Sequence, residues 1–233
     1  EHHSNYVPWQ QMCLRRGATF RVLPFDERGE LDLALFERML NEKTRLVAVN
    51  QVSNSLGTVN PIKEIIRLAH AHEVPVLVDA AQAVQHLAHD VRSLDADFYV
   101  FSGHKMYGPM GIGVFYGKER WLEALPPFLS GGEMIDTVTP EKVTFNVLPF
   151  KFEAGTPNVA DAIGLGVAVD YLQQFDQLEL QKYEEDLLAY GLNLLAEIPD
   201  LVVYGSPAHR SSILPFNVNG IQHYDMGVLL DTM

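Results

Sequence analysis

Val74-Pro75-Val76-Leu77-Val78-Asp79 decides the fold: a nearly continuous apolar run closed by a carboxylate. A strand buried on both faces has this pattern, because helices cover both sides of a parallel sheet. Upstream, Arg45-Leu46-Val47-Ala48-Val49-Asn50 is a second such run. Between them Ile62, Ile65, Ile66 and Ala69 fall at i, i+3, i+4 and i+7, one face of a helix. Asn60-Pro61 supplies an N-cap and a first helical residue for it. Downstream, Phe98-Tyr99-Val100-Phe101 and Gly113-Val114-Phe115-Tyr116 read as two more strands. Strands separated by helices need crossover connections. The chain therefore reads as α/β, a mostly parallel sheet flanked by helices. Ligands in such sheets bind beyond the carboxyl ends of the strands, so polar residues placed there carry the most weight.

Further out, Pro8 to Arg16 reads as a helix ended by Gly17, Thr19 to Leu23 as a strand, and Leu33 to Leu40 as a short helix. The stretch from Leu122 to Pro157 is rich in Gly, Pro and aromatics and predicts long loops with short strands. Helical patterning returns after Gly164. Leu180, Tyr183, Leu187, Tyr190 and Leu194 are spaced for one long helix running to about Ile198. Leu201 to Tyr204 and Ser212 to Asn217 read as strands, and Tyr224 to Met233 as an amphipathic helix. The expected division is a large domain over residues 1–172. Residues 173–233 would be a linker helix and the start of a smaller α+β C-terminal domain. The abrupt ends suggest a segment of a longer protein.

The 233 residues are 47% hydrophobic and 20% charged, which rules out wholesale disorder. The formal net charge of −13 argues against nucleic acid or an anionic membrane as partner, since the field repels phosphate. No apolar run approaches the roughly 20 residues that span a bilayer, and no secretory signal opens the chain, so the expected compartment is cytoplasmic. Cys13 is the single cysteine, which excludes an internal disulfide and reads as a small buried apolar residue. His70 and His72 do not share a helix face. His86 and His89 could share one but have no third ligand in view, so no metal site is expected.

Three polar clusters follow strands: Asn50-Gln51-Val52-Ser53-Asn54, Asp79-Ala80-Ala81-Gln82 and Ser102-Gly103-His104-Lys105. All three belong on one edge of the sheet. A lysine in such a turn can be a desolvated amine, and desolvated amines form Schiff bases with carbonyl compounds. A carboxylate at a neighbouring strand end can pair with a cationic ring nitrogen. Lysine plus aspartate in these roles is the binding signature of pyridoxal phosphate. Ser102 and His104 flank the lysine and could bind a phosphate. Taken singly, a loop lysine is usually a solvated charge, and a strand-end aspartate often caps the next turn. The weight lies in their joint placement.

Five stretches carry a family resemblance: Glu1-His2-His3-Ser4-Asn5 through Pro8-Trp9, Val52 to Thr58, Val78 to Ala83, Asp97 to Pro109, and Phe152-Glu153-Ala154-Gly155-Thr156-Pro157-Asn158. In these the chain resembles pyridoxal phosphate-dependent enzymes of fold type I, in the class V aminotransferase superfamily. Within it the chain is similar to the SufS/Csd-type (group II) cysteine desulfurases, which include selenocysteine lyases. Ala80, Met110 and Ser130 depart from the family pattern without removing a catalytic group.

The resemblance implies a set of roles. Lys105 holds the cofactor and moves the α-proton, and His2 stacks on the pyridine ring. Asp79 pairs with the ring nitrogen, and Gln82 donates to the phenolic oxygen. Asn54 meets the substrate carboxylate or that same oxygen, while Ser102 and His104 bind the phosphate. Thr156 reaches the phosphate of the other subunit in a homodimer. The implied reaction converts L-cysteine, or L-selenocysteine in a lyase, to L-alanine. The sulfur then passes as a persulfide to an acceptor protein of the SufE/CsdE type for iron–sulfur cluster assembly. The family's upstream Gly-Thr-Thr segment, nucleophilic cysteine and carboxylate-binding arginine are expected outside these residues, so the segment alone is expected to be inactive. Other class V reactions (kynureninase-like hydrolysis, epimerisation) and a non-catalytic fragment or dimeric scaffold stay open at this point.

Overall fold

A computed structural model of the chain describes residues 1–88 and 90–232. The central sheet has the order β1-β2-β3-β4, with β1 Val47–Asn50, β2 Val76–Asp79, β3 Phe98–Ser102 and β4 Gly113–Gly117. β1, β2 and β3 run parallel. β4 joins β3 through a turn instead of a helix and is antiparallel. The first helix, α1, is His3–Arg16, and α2 is Leu33–Met39. α3, Ile62–Ala71, crosses from β1 to β2 and buries Ile62, Ile65, Ile66, Leu68 and Ala69. These meet Val49, Val76 and Val78 in one core, where each fully buried aliphatic side chain contributes about 1.5–3 kcal/mol. The short α4, Val91–Leu94, leads into β3.

At the amino end of β3, Asp97 is fully buried and saturated with partners. Oδ2 accepts from the Val76 amide at 2.9 Å and lies 2.7 Å from His70 Nε2. Oδ1 accepts from Trp121 Nε1 at 2.8 Å and from Arg120 Nη2 at 3.1 Å, with Lys118 Nζ 3.4 Å away. Burial alone would raise the Asp97 pKa. The bonds from His70, Val76 and Trp121 and the Lys118 charge outweigh it and hold the carboxyl at about 2. This cluster ties α3 and β3 to α5, Glu119–Ala124.

Beyond α5 a hairpin of β5, Ile135–Val138, and β6, Val143–Phe145, occupies the loop-rich stretch. Next come α6, Val159–Leu172, and α7, Gln177–Ala196. β7, Leu201–Val203, pairs antiparallel with β8, Phe216–Val218, before α8, His223–Asp231. This last unit docks through backbone bonds: Val59 N–H to His209 O, and Ser211 N–H to Gly57 O.

Four expectations change. Thr19 to Leu23 forms no strand, because no neighbour offers a ladder there; Val22 is exposed and Tyr6 meets Phe20 edge-on. α1 starts before Pro8, because the His2 imidazole caps it by accepting from the Ser4 amide at 3.2 Å. Pro61, not Asn60, is the N-cap of α3; the Asn60 side chain instead donates to Asn50 O at 2.8 Å. The long helix α7 forms, but Tyr183, Leu187, Tyr190 and Leu194 lie on its exposed side. Residue 89, half of the His86/His89 pair, lies outside the described residues, as does Met233 at the end of the last helical pattern.

Candidate active site

The parallel register places three strand ends in a row. Asn50 stands opposite Asp79, and Asp79 opposite Val100, two residues before the end of β3. The ladder continues one step past the strands: Gln51 N–H donates to Asp79 O and Ala80 N–H to Val100 O, both at 2.8 Å. The backbone at the carboxyl edge is thus rigid where the polar side chains leave it.

Each cluster is held by its own turn. After β1, Ser53 Oγ accepts from the amides of Ser55 at 3.2 Å and Leu56 at 2.9 Å, a tight turn with Asn54 inside it. After β2, Asp79 Oδ1 accepts from the Ala81 amide at 3.0 Å, so the carboxylate caps its own turn with one oxygen. Ala80 is fully buried and is not among the residues with positive φ, so its methyl is tolerated there. Gln82 Oε1 accepts from Gln85 Nε2 at 3.2 Å.

After β3 a 3₁₀ turn spans Gly103–Met106. Gly103 donates to Ile112 O, and a Cβ there would lie 2.9 Å from Ile112 Cγ2. Only glycine lets this turn pack so closely. Met106 is buried against Leu165 and Leu172 of α6, so the turn carrying Lys105 is anchored on its far side. Lys105 is half-buried and, among the described residues, has no ion-pair partner.

His2, Ser4, Asn50, Asn54, Asp79 and Gln82 line one cavity with Ser102, His104 and Lys105; its volume is about 310 Å³. Val52 and Ala81 complete the wall. Such a volume is at the small end of the roughly 300–1,000 Å³ usual for small-molecule sites. Seven of the eight residues singled out from sequence meet here. Thr156 does not; it is exposed in the loop before α6. His2 Nδ1 faces the Ser4 amide as an acceptor, which in the neutral ring leaves the proton on Nε2. Sequence patterning did not point to Ser4 or to the Glu1 carboxylate, which bonds Ser53 Oγ at 2.7 Å and Asn50 Nδ2 at 3.2 Å. Their signal in the sequence was membership of the Glu1-His2-His3-Ser4-Asn5 stretch.

Chemically, the cavity offers an amine, a carboxylate, two imidazoles, two hydroxyls and three amides. That donor set fits a pyridine aldehyde bearing a phosphate. Among the described residues no group of three or more His, Cys, Asp or Glu could hold a metal ion. His86 Nδ1 is instead 2.9 Å from Glu184 on α7. Cys13 lies on α1 as a free thiol and does not line the cavity. Among the described residues no helix is long and apolar enough to cross a membrane.

The chain is similar to known proteins over its whole length. The aminotransferase class-V family model matches residues 1–233. A cysteine desulfurase of Dickeya dadantii (strain 3937) is 53% identical over 232 residues, 99% of this chain and 56% of that protein. A cysteine desulfurase of Shigella sonnei (strain Ss046) is 50% identical over 232 residues, 99% of this chain and 57% of that protein. The crystal structure of the cysteine desulfurase CsdA from Escherichia coli, in an S-sulfonic acid form, superposes with a TM-score of 0.94 at 39% identity, covering 100% of this chain and 58% of that one. A lysine-to-alanine mutant of C-DES, with glycine covalently linked to its PLP cofactor, superposes with a TM-score of 0.88 at 25% identity, covering 100% of this chain and 63% of that one. The chain thus spans a little over half the length of the curated relatives it matches.

Proposed function

The chain belongs to the aminotransferase class-V family, and from that premise we propose that its cavity is the pyridoxal phosphate site of a cysteine desulfurase. One observation carries the reading: Lys105, Asp79, His2, Ser102 and His104 line a single cavity at the carboxyl edge of a parallel sheet. When bound, pyridoxal phosphate supplies a carbonyl for amines and a ring that accepts electrons from the substrate α-carbon.

The chain's own residues do the rest. Lys105 would hold the cofactor through its Nζ, and the same amine would move the substrate α-proton. Asp79 would hold the ring nitrogen in its protonated form. His2 covers one ring face. Gln82 and Asn54 orient the phenolic oxygen and the substrate carboxylate. Ser102 and His104 hold the phosphate, and Thr156 reaches the phosphate bound to a partner subunit of a homodimer.

In the net reaction a protein thiol takes the sulfur of L-cysteine, leaving L-alanine and a protein persulfide. Cys13 does not line the cavity, so the attacking thiol is assigned to residues outside these 233. The segment alone is then a cofactor-binding unit without desulfurase activity. Residues 1–172 form its cofactor-binding domain, and residues 173–233 begin the smaller one. A cytoplasmic location, an acceptor protein of the SufE/CsdE type and a role in iron–sulfur cluster assembly belong to the same reading.

The test is reductive trapping. The chain is incubated with pyridoxal phosphate, treated with borohydride and mapped by peptide mass. The expected label is on Lys105 and is absent in Lys105→Ala. A label spread over surface lysines, or one that survives the substitution, would sink the assignment. Assay of the 233-residue chain for alanine from cysteine should show no turnover.

A further inference from the structure

Most residues of the cavity wall are fixed by the turn they sit in, but His2 enters from the start of the chain. Something must hold that segment against the sheet, and the contacts of Glu1 do so. Its Oε1 is 2.7 Å from Ser53 Oγ, and its Oε2 accepts from Asn50 Nδ2 at 3.2 Å. Ser53 is buried, and its hydroxyl oxygen already accepts from the Ser55 and Leu56 amides. A hydroxyl has one proton, so with both amides pointing at the oxygen that proton goes to Glu1. The 2.7 Å separation is that of a charge-assisted hydrogen bond. Among the described residues Glu1 has no ion-pair partner to compete for its side chain.

We propose that Glu1 is a positioning residue for the cavity, a carboxylate latch that locks His2 to the carboxyl end of β1 and to the turn carrying Asn54. The latch joins three wall residues through one group: His2 is its chain neighbour, Asn50 is its direct partner, and Asn54 follows its other partner, Ser53. It acts on the cofactor only through them. This inference rests on the reading of the cavity as a pyridoxal phosphate site.

Glu1→Ala removes the latch, whereas Glu1→Gln keeps an oxygen that can accept from Ser53. Both are exposed changes that leave the core untouched. Three readouts apply to the full chain: pyridoxal phosphate affinity, visible circular dichroism of the bound cofactor, and amide exchange at Ser55 and Leu56 without cofactor. Glu1→Ala should weaken affinity about tenfold, alter the dichroic band and speed exchange at both amides, with the melting temperature unchanged. Glu1→Gln should recover most of the affinity and the band. A purely structural role would lower the melting temperature and leave the dichroic band of the bound fraction as it was, which overturns the proposal. Affinity and dichroism of Glu1→Ala within twofold of the unsubstituted chain overturn it as well. If the unsubstituted chain takes up no pyridoxal phosphate, the reading of the cavity fails and the latch falls with it.

Discussion

Asn50 and Asp79 stand opposite each other in register on neighbouring parallel strands, and both line the same cavity. The pair brings a neutral amide and a carboxylate to one spot without either depending on a flexible loop. The charge of Asp79 can therefore be removed with little disturbance. In Asp79→Asn the side-chain oxygen still accepts from the Ala81 amide, so the turn persists. On the proposed reading, what is lost is a charged hydrogen bond to the cofactor, about 1.5–3 kcal/mol, or on the order of 10- to 100-fold in affinity. Absorbance titration with pyridoxal phosphate measures it. An unchanged dissociation constant would remove Asp79 from the site.

Gly103 sets the turn that carries Lys105. In Gly103→Ala the new methyl meets Ile112 Cγ2 at 2.9 Å and Ile112 O at 3.2 Å. Ile112 or the turn must move, at a cost of about 1–3 kcal/mol. Urea denaturation should show that loss, and borohydride labelling of Lys105 should slow in parallel. Normal stability with normal labelling would mean that the close approach is not needed.

Thr156 tests the dimer. It is exposed and away from the cavity of its own chain, as a residue serving a partner would be. Thr156→Ala and Lys105→Ala should each impair cofactor retention. In the proposed homodimer, mixing them would give pairs in which one of two sites has an intact Lys105 and an intact Thr156. Cofactor retained per dimer should therefore rise above that of either variant alone. No gain on mixing would place Thr156 outside the partner's site.

Asp97 is the stability counterpart on the opposite edge of the sheet. Its carboxyl is held at about 2, below the ordinary 3.8, so it binds a proton more weakly folded than unfolded. Its contribution is complete above about pH 4 and is lost as the pH falls towards 2. Urea midpoints across this window should fall with pH, and Asp97→Asn should flatten that part of the profile. The same variant leaves donors from His70, Arg120 and Trp121 facing a neutral group, at a cost of roughly 3–5 kcal/mol at neutral pH. A loss under about 1 kcal/mol would contradict the network.

The strands and crossover helix were legible because burial on both faces leaves a continuous apolar run, and a helix buried on one side leaves a 3.6-residue period. Val76 to Asp79 and Ile62 to Ala69 show both rules without interference. Thr19 to Leu23 misled because strand propensity is realised only where a neighbour supplies the ladder. Pro8 misled because a proline inside α1 looks like a helix start, while the cap that matters is the His2 ring.

The three polar clusters, their order after successive strands and their shared edge followed from the sequence alone, since local patterning fixes strand ends and parallel pairing aligns them. Tertiary structure alone decided which of those side chains meet. It gathered seven of eight around one cavity, left Thr156 outside, joined Glu1 to Ser53 and buried Asp97 among donors from three elements. Contacts between residues dozens of positions apart depend on how helices and turns pack, and no local pattern encodes that distance.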